Sequence, residues 1–189
     1  MSRIIAGRAA GVPLVMPKGD TTRPTSARLR ESVFQMLASW AGGEGDPSQS
    51  LKGIRFLDLY AGSGAMALEA ASRGAQAVAV ESDRKAADAI RKNTAKTKLD
   101  VKLEQSRVED YVLRARGFDV VWADPPYALG NDELTRVMET LARNGGLVAD
   151  GLAILERAFK DSAPVWPEIM EQTRSRRYGD TALYFAAIK

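Results

Sequence analysis

Apolar residues at Leu29, Val33, Met36, Leu37 and Trp40 follow the i, i+4, i+7, i+8, i+11 spacing of one helix face. The spacing predicts a helix from Ala27 to Trp40, with Arg28, Arg30, Glu31 and Gln35 outside the buried stripe. Arg23-Pro24-Thr25-Ser26 before it reads as an extended segment leading into a helix cap. Upstream, Arg3 to Ile5 and Pro13 to Met16 have strand-like texture, and AGGEGDPSQS at 41–50 reads as a flexible loop.

From Ile54 the pattern changes to short apolar runs alternating with helical stretches. IRFLDL, AMALEAASRG, AQAVAVE, RKAADAIRKNTAK and VKLEQ are followed by a short helix ending near Arg116 and by FDVVWA, Phe118 to Ala123. A helix over Asn131 to Arg143 leads to LAILE, and the tail offers two strands around Gly179-Asp180. Strands alternating with helices form βαβ units, so the expected fold is α/β: a doubly wound, mostly parallel twisted sheet with helices on both faces. A Gly-Asp turn joins antiparallel neighbours, so the last strand is expected to run against the rest. Residues 1–50 are read as an N-terminal extension packing on a core domain at 51–189.

Composition narrows the chemistry. The 189 residues include no Cys and no His, which excludes thiol nucleophiles, disulfides, Ser-His and Cys-His dyads and Cys/His zinc sites. No metal site is expected. The net charge of +3 hides an asymmetry, because residues 1–30 carry six Arg or Lys against the single acid Asp20. Residues 171–189 add four bases and two acids, whereas 31–170 are slightly acidic, a pattern that suits a polyanion against the termini. No stretch reaches the roughly 18 apolar residues of a membrane span, and MSRIIAGRAAG lacks the apolar run of a secretory signal, so a cytoplasmic location is expected.

Two segments carry the candidate chemistry. Asp58-Leu59-Tyr60-Ala61-Gly62-Ser63-Gly64 sets a glycine-rich turn between a strand and a helix, where backbone approaches a ligand closely and free helix N–H groups face it. Gly62-x-Gly64-x-x-Ala67, with Glu81 19 residues beyond Gly62, also satisfies a relaxed dinucleotide fingerprint, which leaves an NAD-dependent oxidoreductase open. Asp58 disfavours a pyrophosphate there and favours a cationic ligand. S-adenosyl-L-methionine, with its ammonium, sulfonium and ribose, fits carboxylates at Asp58 and Glu81, and Tyr60, Ala61 and Ser82 flank them. The alternative, in which Asp58 only caps its own loop's amides, stays open.

Asp124-Pro125-Pro126-Tyr127 directly follows the apolar strand and should face the same crevice as the Asp58 loop. Two prolines remove two N–H donors and keep both carbonyls, giving a stiff turn rich in acceptors. Acceptors gripping both N–H bonds of an exocyclic base amine favour a pyramidal nitrogen and absorb the charge developing during attack on a methyl group. Tyr127 would stack on the base. A Pro-Pro turn that merely closes the strand is the bland alternative.

Across nearly its whole length the chain resembles the bacterial 16S rRNA guanine-N2 methyltransferases of the RsmD type. The likeness rests on Arg3-Ile4-Ile5-Ala6-Gly7, on Arg23-Pro24-Thr25 followed by Arg28, Arg30, Glu31 and Phe34, on LDLYAGSGAMALEAASRGA, Glu81, ADPPY, and Tyr178-Gly179-Asp180-Thr181. It implies a seven-stranded class I methyltransferase sheet, S-adenosyl-L-methionine as donor with S-adenosyl-L-homocysteine as product, and a flipped guanine in 16S rRNA, within a small subunit or assembly intermediate. It also implies that the Arg23 helix closes over cofactor and RNA, with Arg3, Arg8, Arg23, Thr25, Arg28, Arg30 and Lys18 as candidate RNA contacts. Where the family often has an acid for the adenine edge, this chain has Gln105-Ser106-Arg107-Val108, which leaves Ser106, Arg107 and backbone groups for that contact. DPPY is shared with adenine-N6 DNA methylases, so DNA or a protein glutamine amide is the rival acceptor, and a non-catalytic RNA-binding protein is the rival of another class. A monomer is expected.

Overall fold

A computed structural model describes residues 2–17, 26–43 and 45–189. Lys18, Arg23 and Thr25 lie outside the described residues. The elements are α1 (Ala27–Trp40), β1 (Arg55–Leu59), α2 (Ala65–Ser72), β2 (Gln76–Val80), α3 (Arg84–Thr97), β3 (Val101–Glu104), α4 (Val108–Val112), β4 (Phe118–Ala123), α5 (Asn131–Arg143), β5 (Leu147–Ala158), β6 (Met170–Tyr178) and β7 (Thr181–Ile188). They build one seven-stranded sheet in the order β3-β2-β1-β4-β5-β7-β6. The first five strands of that order are parallel, and β7 runs antiparallel to both β5 and β6. The strand order reverses between β1 and β4, the switch point where open α/β sheets bind ligands.

Strand alternation divides the core. Phe56, Val120, Trp122, Ile154, Leu183 and Phe185 face one side with α1, α2 and α3; Leu57, Leu59, Val121, Ala123 and Leu155 face the other with α4 and α5. β5 begins at Leu147 rather than with LAILE, because Phe118 pairs with Leu147 before a bulge absorbs the residues preceding Leu152. The expected N-terminal strands reduce to a single antiparallel bridge between Arg3 and Pro13.

Ser26 caps α1 by accepting the Leu29 amide, and the helix buries Leu29, Arg30, Val33, Phe34 and Leu37. Met36 is half-buried and Trp40 exposed, so the buried stripe is turned toward Phe34 relative to the sequence reading. Arg30 therefore falls inside it, only 1% exposed, and gives its guanidinium to Ser2 Oγ and to the Arg3 carbonyl, both at 2.8 Å. Arg30 is thus no freely exposed cation of the kind expected for an RNA contact: it ties α1 to the N-terminal segment and also lines the switch-point crevice.

That segment docks on the C-terminal half of α2. The buried Glu69 carboxylate accepts the amides of Ile5 (2.7 Å) and Ala6 (3.0 Å) and pairs with Arg73 Nε at 3.0 Å. Ser72 Oγ donates to the Ala6 carbonyl and accepts the Ala9 amide. Gly7, at φ +82°, passes so close that a Cβ would stand 2.0 Å from the Ser72 carbonyl oxygen. Asn93 of α3 then grips Val15 through both its backbone groups and donates to the Ser63 carbonyl, which lays Met16 and Pro17 along the mouth of the switch-point crevice. Residues 1–50 thus contribute Ile4, Leu14 and α1 to the same core as the sheet.

Removing Glu69 would leave two amides unsatisfied and strand a buried guanidinium, a loss of about 3–5 kcal/mol by the usual cost of breaking a buried pair. Glu69→Ala is expected to lower the urea midpoint accordingly, and a loss below about 1 kcal/mol would contradict the docking described here.

Candidate active site

The crevice at the carboxyl ends of β1, β2 and β4 is a cleft of about 570 Å³, a size that holds a small-molecule ligand. The Asp58 loop, the end of β2 and the DPPY turn all open onto it. Of the residues expected to hold a cofactor, Asp58, Tyr60, Ala61, Gly62, Glu81, Ser82 and Arg107 line the cleft.

Gly64 and Ser106 are not among the lining residues. Gly64 stands in left-handed conformation at the start of α2, where a Cβ would meet Ile90 at 3.1 Å, so its lack of a side chain shapes the turn. Ser106 turns its hydroxyl to the Arg107 carbonyl at 3.0 Å. Arg107 pairs with Glu109, and Glu109 also lines the cleft, an acid beyond β3 that the sequence reading passed over.

Asp58 is 2% exposed and accepts the Ala67 amide of α2 at 3.0 Å. Burial, with Asp124 and Glu81 adding repulsion, pushes its carboxyl up to about 8 despite that bond. The capping interaction considered from sequence is real, and the same carboxyl lines the cleft. Glu81 accepts the Gly62 amide with one oxygen, which pins the glycine turn to the end of β2, and the Asp83 amide with the other, which orients the carboxylate. Its pKa is raised by burial against the lowering effect of those amides. Tyr60 adopts φ +61° and its hydroxyl has no partner among the described residues. Burial holds that phenol above its ordinary pKa.

On the other wall, Asp124 extends from β4 with its pKa well above the usual carboxylate range, first from burial, then from Glu156, against a lowering by Arg157. Register explains the pairing. Ala123 lies beside Leu155, which places Asp124 beside Glu156, and Glu156 is itself 8% exposed. The sequence reading ended a strand at Glu156 without giving it a role; strand alternation from Ile154 was the available signal. Arg157 donates to the Leu129 carbonyl at 3.3 Å and so braces the loop after DPPY.

The Pro126 carbonyl accepts the Leu129 amide in a turn, whereas no described residue donates to the Pro125 carbonyl. Tyr127 is 64% exposed at the rim. Asp124, the open Pro125 carbonyl and an exposed aromatic ring therefore stand together at the cleft. Of the RNA candidates, Arg3, Arg8 and Arg28 are exposed, and Arg8 spends one Nη on the Ala71 carbonyl.

Comparison with known proteins fits this geometry. A family profile described as "Conserved hypothetical protein 95" matches residues 2–187. The chain is 31% identical over 183 residues to ribosomal RNA small subunit methyltransferase D of Escherichia coli (strain K12), covering 95% of this chain and 86% of that protein. A hypothetical protein of Thermus thermophilus superposes with a TM-score of 0.80 at 32% identity over the whole of both chains. The fold also recurs in a Thermus thermophilus 16S rRNA N2 G1207 methyltransferase solved with AdoMet and guanosine, at a TM-score of 0.63, 23% identity, 91% of this chain and 45% of that one. A glycine turn facing a proline turn across the β1/β4 switch point, within a match that runs end to end, places this chain in the RsmD family of rRNA methyltransferases.

Proposed function

We propose that the chain transfers a methyl group from S-adenosyl-L-methionine to the exocyclic N2 amine of a flipped guanine in 16S rRNA. The observation that carries this reading is the convergence of the buried Asp58 carboxyl and the Asp124-Pro125-Pro126-Tyr127 turn on one cleft.

The donor set fits the cofactor: Asp58 supplies an acid for the ammonium end, Glu81 and Ser82 lie where a ribose would be met, and Tyr60 has an orphaned hydroxyl. When bound, S-adenosylmethionine supplies an electrophilic methyl group on a sulfonium. The protein's own residues prepare the acceptor. Asp124 and the Pro125 carbonyl accept the two N–H bonds of the amine, and Tyr127 stacks on the base and fixes its plane, a contact worth about 1–3 kcal/mol. Transfer to the nitrogen would release one amine proton, which the residues around the amine must accept. In its ionised form Asp124 would be the group to take that proton, and burial and then Glu156 raise its affinity for it.

The test is transfer of labelled methyl to small ribosomal subunits from a strain lacking this gene, followed by nucleoside analysis. N2-methylguanosine in small-subunit RNA is expected; label confined to DNA, protein or another nucleoside would contradict the reading. Asp124→Ala is expected to lose about 10²-fold or more in transfer while binding S-adenosylhomocysteine normally, by analogy with deleting one pre-organised polar group. Near-normal turnover of that variant, measured under single-turnover conditions, would overturn the role of the turn.

A further inference from the structure

The β6 edge carries three arginines that the cleft does not use. Arg174, Arg176 and Arg177 are exposed, as is every residue from Glu171 to Arg177. An exposed edge strand often bears charge simply to discourage pairing with other chains, and lysine is the usual choice. Here the guanidiniums are instead set on aromatic rings: Arg174 over Phe185 at 4.5 Å, Arg176 over Tyr178 at 5.1 Å and Arg177 over Phe159 at 3.6 Å. Stacking holds the planar groups still, a property of arginine that lysine lacks; Arg177 gives its Nε to the Gly179 carbonyl at 2.7 Å and Arg174 one Nη to Met36, which leaves their other N–H groups for an external acceptor.

Among the described residues they also lack the side-chain ion pairs common elsewhere on the surface. Arg91, Arg107, Arg114 and Arg143 elsewhere on the surface each meet an acid within 3.2 Å. Among the described residues, Arg174, Arg176 and Arg177 form no such ion pair, and neither does Arg28. Arg28 joins the group through α1. Ser32 Oγ meets Tyr178 OH at 2.8 Å and Met36 Sδ meets Arg174, so the helix face running 28, 32, 36 lies against β6 with exposed Arg28 at its N-terminal end. Glu171 stands at the opposite end of the strand.

Register places this ridge at the catalytic end of the sheet. Ala123 pairs with Leu155, Leu155 with Tyr184, and Tyr184 with Ser175, so Arg176, Arg177 and Tyr178 continue past that row on the side where Asp124 leaves β4. Three strand spacings separate the two, about 14 Å.

We infer that Arg28, Arg174, Arg176 and Arg177 form a phosphate-binding ridge that grips the rRNA strand flanking the flipped nucleotide. The ridge rests on the RNA-methylation reading and adds to it the surface that holds the substrate outside the cleft. Fixed planar guanidiniums suit phosphate oxygens bidentately, and a strip in which bases outnumber the neighbouring acids Glu31 and Asp180 supplies the salt-dependent part of the affinity.

The test is the double variant Arg176→Ala/Arg177→Ala, with binding to a small-subunit rRNA fragment measured by fluorescence anisotropy across a KCl series. The slope of log affinity against log salt is expected to fall by about 2, one for each phosphate contact removed. KM for small subunits should rise about tenfold or more, while kcat stays within about twofold and S-adenosylhomocysteine affinity is unchanged. Arg176→Lys/Arg177→Lys should restore much of the slope, and Arg114→Ala/Arg143→Ala should leave it intact. An unchanged slope and KM in the first variant, or an equal loss in the last, overturns the ridge. Absence of any RNA binding by the unsubstituted protein overturns both the ridge and the reading beneath it, whereas normal binding by both forms overturns the ridge alone.

Discussion

Asp58 of β1 lies beside Trp122 of β4, and Asp124, two residues farther on, lies beside Glu156 of β5, so the parallel register puts the three carboxyls on one face toward one end of the sheet. Burying acids side by side is unfavourable unless they keep their protons or meet cations. Asp58 is raised to about 8 and so holds a proton in neutral solution far more readily than free aspartate, and burial with Glu156 shifts Asp124 in the same direction. A cleft built this way is held ready for positive charge. The proposed donor brings an ammonium and a sulfonium, and the proposed acceptor brings N–H bonds that become more acidic as the nitrogen is alkylated. Much of the surrounding structure serves to keep these groups in place: Ala67 of α2 on Asp58, the Glu81 clamp on Gly62, and Arg157 on the loop after DPPY.

The N-terminal segment is continuous with this arrangement. Glu69 and Ser72 hold residues 5–9 on α2, Arg30 secures Ser2 and Arg3 to α1, and Asn93 carries Val15 to the rim of the cleft. Apart from the Arg30–Ser2 bond, each of these ties gives a partner to a backbone group of the segment. The same helix that Arg30 anchors inward presents Arg28 outward beside β6, so one element links the core, the cleft mouth and the basic edge.

Where periodicity was strong, the fold was legible from sequence. The helices over Ala27–Trp40 and Asn131–Arg143 and the strand FDVVWA occupy the expected residues, because capping, apolar spacing and β-branched content agree there. Hydrophobic pattern fails where a polar residue is buried with a distant partner. Arg30 and Glu69 find theirs 27 and more than 60 residues away in sequence, which local spacing does not encode. The extent of β5 was hidden by Ala149-Asp150-Gly151, which reads as a turn yet lies within a bulged strand. In the cleft, Asp58, Glu81 and the DPPY turn were legible because motif residues sit at strand ends. Glu156 was not, since its meaning comes only from the register that sets it beside Asp124.

The pivotal quantity is the proton that Asp58 holds before a cationic ligand arrives. With its carboxyl near 8, the group is mostly protonated at pH 7 and must ionise to face an ammonium. Calorimetric titration of S-adenosylmethionine at pH 7, repeated in buffers of different ionisation enthalpy, reads that proton directly. Release of close to one proton per bound ligand is expected, fading as the pH is raised above about 9 and abolished in Asp58→Asn. Heats independent of the buffer at pH 7 would contradict a protonated acid awaiting a cation, and with it the physical basis assigned to this cleft.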